Sequence, residues 1–219
     1  FIYSDAAKNE SALEKVNEVR KYIKTIDGFK KITIIEREKN WGLANSIIDG
    51  VTKIVNEYGK IIVLEDDLVT SPYFLKFMND ALEVYKDEEK VWHISGWNYP
   101  IVIDDGLDDI FLWRLMNCWG WATWANKWRH YEKNVDKVIN EFSTNDIYKF
   151  NIDGIEDFWD QILANKECRI NTWAIFWYAT IFKQNGLCLN PSQTFIENIG
   201  HDGSGIHCGE SISFSSKLS

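Results

Sequence analysis

Residues 60–71 read Lys60-Ile61-Ile62-Val63-Leu64-Glu65-Asp66-Asp67-Leu68-Val69-Thr70-Ser71. The apolar run Ile61–Leu64 has the composition of a strand buried on both faces of a parallel sheet, and it stops abruptly at three acids. Glu65, Asp66 and Asp67 therefore stand at the carboxyl end of a strand, the edge at which open α/β sheets bind ligands. Carboxylates crowded there repel one another unless a cation or hydrogen-bond donors offset the charge. Mg²⁺ or Mn²⁺ suits the task, because such ions take one or two protein carboxylates and fill their remaining positions with water and phosphate oxygens. The plainer alternative is a solvated acidic turn ahead of a helix starting at Ser71-Pro72, since acids near a helix N-terminus are ordinary.

Upstream, Phe1-Ile2-Tyr3 reads as a strand running into Ser4-Asp5, which puts Asp5 on the same ligand edge. A strand that opens the sequence without lead-in residues suggests that one strand-helix unit upstream is absent. Ser11-x-x-Glu14 has the form of a capping box, and Leu13, Val16, Ile23 and Ile26 follow at helical spacing up to Asp27-Gly28. Ile32–Ile35 is the next buried strand. A loop over residues 36–46 then passes into a helix with Leu43, Ile47, Val51, Ile54 and Tyr58 on one face, closed by Gly59. Arg37 and Lys39 lie just past the strand end, while Asn40 and Gly42 supply a turn beside free helix N–H groups. That set can hold a phosphate or a base edge, or can be an ordinary strand-to-helix connection.

Downstream of the acids, Leu75, Met78, Ala81, Leu82 and Tyr85 mark a helix face, and Val91–Ser95 is a strand followed by Gly96-Trp97-Asn98. Alternating strands and helices predict an α/β fold with a parallel sheet wrapped by right-handed crossovers. From Ile110 the character changes, with Trp113, Trp119, Trp121, Trp124 and Trp128 within sixteen residues. Trp121, Trp124, Trp128 and Tyr131 share a face if the segment is helical, which predicts a packing seam; Trp113 and Trp119 lie off it and are candidates for stacking on an acceptor sugar. Further on, Asp157 and Asp160 flank Phe158-Trp159 and share a helix face. A partly desolvated carboxylate beside aromatics is a candidate general base, and an acid at a helix start is equally a partner for the helix dipole. A helix over 172–186 and a short strand over 187–189 follow. Residues 200–209 hold four glycines and two histidines, a loop able to close on a ligand, where His207 could complete a metal site or meet a diphosphate. A lone histidine in a surface loop is usually neither.

The chain has 219 residues, 45% of them hydrophobic, enough for one sizeable α/β domain. Its net charge of −9, without any run of Lys or Arg, disfavours DNA or RNA as partner. Cys118, Cys168, Cys188 and Cys208 lack C-x-x-C spacing and read as reduced thiols, which favours a cytoplasmic location. No stretch approaches the length of a spanning helix, so this sequence carries no transmembrane segment; an anchor elsewhere, or peripheral attachment to a membrane, stays compatible with it.

Four stretches taken in order carry a resemblance: Asn40-Trp41-Gly42-Leu43, then Val63-Leu64-Glu65-Asp66-Asp67-Leu68, then Ser71-Pro72-Tyr73-Phe74, then His93-Ile94-Ser95-Gly96-Trp97-Asn98. Together they resemble the nucleotide-sugar half of GT-A glycosyltransferases, most of all bacterial family 2-like sugar transferases and the Golgi β-1,2-N-acetylglucosaminyltransferases. The resemblance is strong over residues 1–98 and looser over 113–209, where Gly120-Trp121 and Phe158-Trp159-Asp160 keep their order. It implies a GT-A, Rossmann-like, mostly parallel sheet lacking its first strand-helix unit, with residues 1–112 as the nucleotide-sugar half and 113–219 as the acceptor half. It further implies that Asp5 reads a uracil ring, that Asp67 ligates Mn²⁺ or Mg²⁺, and that Glu65 and Asp66 hold ribose, sugar hydroxyls or metal-bound water. The activity implied is inverting transfer of a sugar from a nucleoside diphosphate, UDP by preference, to a glycan or other hydroxyl acceptor, as in polysaccharide biosynthesis. The family's base is the second acid of a W-D-D segment, whereas this chain has Trp159-Asp160-Gln161, and Gln161 cannot take a proton. Asp160, by a small shift in register, is the preferred substitute and Asp157 the other. A nucleotidyltransferase and a non-catalytic carbohydrate-binding protein are the competing functions.

Overall fold

The computed structural model describes residues 1–100 and 108–200. Among the described residues nine strands run in chain order: β1 (Ile2–Ser4), β2 (Ile34–Glu36), β3 (Lys60–Val63), β4 (Leu68–Thr70), β5 (Val91–Ser95), β6 (Ile110–Trp113), β7 (Trp121–Trp124), β8 (Leu187–Pro191) and β9 (Ile196–Asn198). The helices are α1 (Leu13–Ile23), α2 (Gly42–Tyr58), α3 (Phe74–Val84), α4 (Ala125–Trp128), α5 (Val135–Glu141), α6 (Thr144–Phe150), α7 (Phe158–Lys166) and α8 (Ala174–Lys183). The architecture is mixed α/β.

The central sheet has five strands in the order β3-β7-β5-β8-β6. β3, β5 and β8 run one way while β7 and β6 oppose them, so β5–β8 is the one parallel neighbour pair among four. Strand-helix alternation in the first 98 residues predicts parallel pairing instead. The difference arises because the later part of the chain supplies reversed strands, and β7 slots between β3 and β5. The segments 1–112 and 113–219 therefore interleave within one sheet. β1 and β2 form a separate parallel pair, and β4 pairs antiparallel with β9.

The tryptophan stripe needs correction. Trp121–Trp124 is strand, not helix, and the helix after it is limited to Ala125–Trp128. All four β7 residues are buried, because the strand is paired on both edges and covered on both faces. Their alternation still makes a seam: Trp121 enters the core formed with Trp128, Trp173 and Trp177, whereas Ala122 and Trp124 enter the core on the other face with Phe74, Met78 and Leu82 of α3. α1 also starts differently from the expected capping box. Asn9 caps a 3₁₀ turn over Glu10–Ala12, its side chain accepting from Ala12 N–H at 3.1 Å, and α1 follows. The C-terminal end of α2 closes at Gly59, as the sequence predicts.

Candidate functional site

β3 ends at Val63, level with Trp121 of β7, and Trp121 in turn pairs with Ser95 of β5. Glu65, Asp66 and Asp67 leave the sheet at that edge. Beyond it the main chain of several loops is tied together: Gly96 N–H donates to Gly120 O at 2.6 Å, Phe195 N–H to Gly96 O at 2.9 Å, and Ser71 N–H to Phe195 O at 2.9 Å. A Cβ on Gly96 would lie 2.6 Å from the Phe74 ring and 2.7 Å from Gly120 O, so this close approach requires glycine. Immediately after the acids, β4 pairs with β9 in the register Leu68↔Asn198, and Ile199 N–H donates to Asp67 O at 2.9 Å. The segment 196–200 thus forms a wall beside the acidic turn.

Glu65 is harder to ionise than an ordinary carboxyl. Burial, followed by the neighbouring Asp67 and Asp66 carboxylates, pushes its carboxyl up to about 7. Like charges gathered in a half-buried turn fit a divalent cation bound through one or two carboxylates, with the other positions left to water and ligand oxygens. They do not fit an all-protein cage, since among the described residues no three His, Cys, Asp or Glu side chains group around one point. Asn98, just past β5, is 3% exposed, and its Nδ2 has no hydrogen-bond partner among the described residues. It belongs to the stretch that carries the resemblance, but sequence reasoning gave it no role. The available signal was positional: Asn98 follows β5 at the same edge where the acids follow β3.

The other candidates around Asp5 are occupied internally. Asp5 accepts from Ala6 and Trp41 N–H through Oδ1, both at 2.9 Å, and from Gly42 N–H through Oδ2 at 2.8 Å. The carboxylate therefore fills the position at the start of α2 that a ligand phosphate or base edge would take, and the segment serves as a strand-to-helix connection. Gly42 has φ +71°, a left-handed conformation that favours glycine. Asn40 donates to Ala6 O at 2.7 Å. Arg37 is 7% exposed, with Nη2 2.5 Å from Asp49 Oδ2 and its guanidinium 3.9 Å above the Trp41 ring. Its charge is committed inside the protein, so the expected grip on a ligand phosphate does not match its placement. A cavity of about 800 Å³ runs along α2, lined among others by Lys39, Asn40, Trp41, Asn45 and Lys53; none of the three acids lines it.

Asp157 is the N-cap of α7, accepting from Asp160 N–H at 3.3 Å, and Asn151 Nδ2 lies 3.4 Å from the same oxygen. Asp160 is exposed on the first turn of α7 and pairs with Arg169 at 3.2 Å. Trp119 packs edge-on against buried Trp97 at 4.6 Å, and Trp113 approaches Tyr99 at 6.3 Å, so both are tied into an aromatic chain leading from the end of β5. Both remain half-buried. His207 lies outside the described residues. Cys168 and Cys188 are free thiols. Among the described residues no helix is long and apolar enough to cross a membrane. No protein-family model matches the chain, and no curated protein matches it either.

Proposed function

We propose that the chain is a metal-dependent, inverting glycosyltransferase of GT-A type, moving a sugar from a nucleoside diphosphate, by preference UDP, to a hydroxyl acceptor. The observation that carries the reading is the half-buried carboxylate turn at the carboxyl end of β3, walled by residues 196–200 and level with the buried Asn98 amide. β3, β5 and β8 sharing one direction also supports it, because their carboxyl ends then meet at one edge.

In this reading Asp67 holds the divalent ion, with Glu65 and Asp66 turned to water or sugar hydroxyls. When bound, the ion supplies positive charge against the diphosphate that leaves. Asp160 takes the proton of the acceptor hydroxyl while the acceptor oxygen bonds to the anomeric carbon from the face opposite the departing phosphate oxygen. One C–O bond forms as the other breaks, and the configuration inverts. Both acids are exposed, but Asp157 is engaged in capping α7, whereas Asp160 holds only a surface ion pair with Arg169 that an acceptor can displace.

Calorimetric titration of UDP into the chain, with Mn²⁺ and then with a chelator, tests this. Binding that requires Mn²⁺ and disappears in Asp67→Ala is the expected result. Equal binding with and without metal would remove the assignment.

A further inference from the structure

We infer that Gly200 sets the orientation of the Asp67 carboxylate: residue 200, beside the acidic turn, is glycine because the Asp67 side chain occupies the space a Cβ would need. The inference rests on the proposed role of Asp67 as cation ligand. A Cβ on Gly200 would lie 2.4 Å from Asp67 Oδ2, 3.0 Å from its Cβ and 3.1 Å from its Cγ, so the three nearest atoms all belong to that one side chain. No real Cβ tolerates the first of these distances, and something must move.

What moves is decided by the surroundings. Gly200 lies outside the left-handed region, so alanine meets no backbone penalty there. The main chain leading up to Gly200 is tied to the acidic turn: Ile199 N–H donates to Asp67 O at 2.9 Å, Gly200 N–H donates to Asn198 Oδ1 at 2.8 Å, and Leu68 pairs with Asn198. With these ties in place, the added methyl falls on the Asp67 side chain, whose atoms are the three nearest to it. The glycines elsewhere on this edge differ. A Cβ on Gly96 meets the Phe74 ring and Gly120 O, and one on Gly120 meets Ile196 at 2.7 Å, so substitution there disturbs the core instead of a carboxylate. Gly200 is thus a positioning residue, acting on the ligand through Asp67. The ligand class is a divalent cation carrying a nucleoside diphosphate, and the placement of Gly200 becomes coupled to its binding.

The test measures Mn²⁺ binding in the presence of UDP, by electron paramagnetic resonance, for the parent chain, Gly200→Ala, Asp67→Ala and the double variant, with thermal unfolding recorded for each. The expected result is a loss of about tenfold or more in Mn²⁺ affinity for Gly200→Ala at an unchanged unfolding temperature, the range seen when a ligand's supporting contacts are disturbed. In the Asp67→Ala background, which removes Oδ2 and Cγ and leaves only the 3.0 Å approach to Cβ, Gly200→Ala should leave the unfolding temperature unchanged, because the severe part of the clash is gone. Parent-like affinity in Gly200→Ala overturns the inference while leaving the cation site standing. Absence of Mn²⁺ binding in the parent overturns the cation reading of Asp67, and this inference with it. If Gly200→Ala fails to fold, recovery in the double variant supports the Asp67 clash, and continued failure refutes it.

Discussion

The indole Nε1 of Trp177 donates to Nδ1 of His93 at 3.2 Å, joining α8 to the central strand β5 inside the protein. With Nδ1 accepting, Nε2 carries the proton and donates to Asn117 O at 2.8 Å, which fixes the loop leading into Gly120. Trp121 stacks on the imidazole at 5.4 Å. Burial keeps the ring neutral and pushes its pKa down to about 3. A histidine depressed in the folded state binds fewer protons there than when unfolded, so its contribution to stability is present above the ordinary value of 6.5 and is lost as pH falls toward 3. Between those limits the slope approaches about 1.4 kcal/mol per pH unit. Urea denaturation across this range should show the parent losing stability faster than His93→Gln, whose side chain does not titrate. Trp177→Phe, which strands Nδ1, should cost about 1–3 kcal/mol at neutral pH.

Asp5 provides a second expectation, because its carboxylate is saturated by the N–H groups of Ala6, Trp41 and Gly42. Asp5→Ala removes a helix cap and should cost about 1 kcal/mol, whereas Asp5→Asn keeps an accepting oxygen and should cost less. Thermal unfolding of the two variants measures the difference. Equal stability of Asp5→Ala and the parent would show that the cap carries no weight.

Arg37 is the third case. Asp49 is its carboxylate partner and is shared with Lys53, whose Nζ lies 3.0 Å away and is far more exposed. Burial works against ionisation of Asp49, but hydrogen bonds and charge from Arg37 and then Lys53 outweigh it and hold the pKa below the usual carboxylate value. Asp49→Asn leaves a buried guanidinium without a counter-charge and should cost about 3 kcal/mol, toward the low end for broken buried pairs. Lys53→Ala removes an exposed partner and should cost much less. Chemical denaturation of the two variants, compared at one pH, decides the ranking.

These three placements also define what the sequence could and could not disclose. The apolar run ending at Glu65 is a local signal, and the strand and the acids after it stand where the run puts them, but β3 is a partly buried edge strand paired antiparallel with β7, not the doubly covered parallel strand that an unbroken apolar run suggests. The same is true of α2 and its stop at Gly59, where periodicity and a glycine coincide. Trp121–Trp124 was not legible, because two tryptophans three residues apart, followed by Trp128 and Tyr131, fit a helix face as well as a strand until the partners on either side are known. Arg37 and Asp5 looked like ligand groups because they follow strand ends, yet each found a nearer internal partner in α2 or its first turn. Gly200 could not be singled out at all. Its meaning comes from pairing Leu68 with Asn198, a contact across 130 residues of sequence that no local pattern encodes.

The two candidate bases now separate by what each already does. Asp157 accepts Asp160 N–H at the start of α7, so Asp157→Asn, which keeps an accepting oxygen, should leave both stability and turnover close to the parent. Asp160 projects from the first turn and is bound to Arg169, an exposed pairing that an acceptor hydroxyl can displace. Asp160→Asn should therefore lower turnover by about two to four orders of magnitude, the loss expected for a general base, while affinity for the nucleotide stays within about twofold. Measuring kcat beside the Kd for UDP separates the roles. A large fall in kcat for Asp157→Asn with Asp160→Asn unaffected would transfer the base to the cap position, and the hydrogen bond from Asp160 N–H would then have to open before the acceptor is deprotonated.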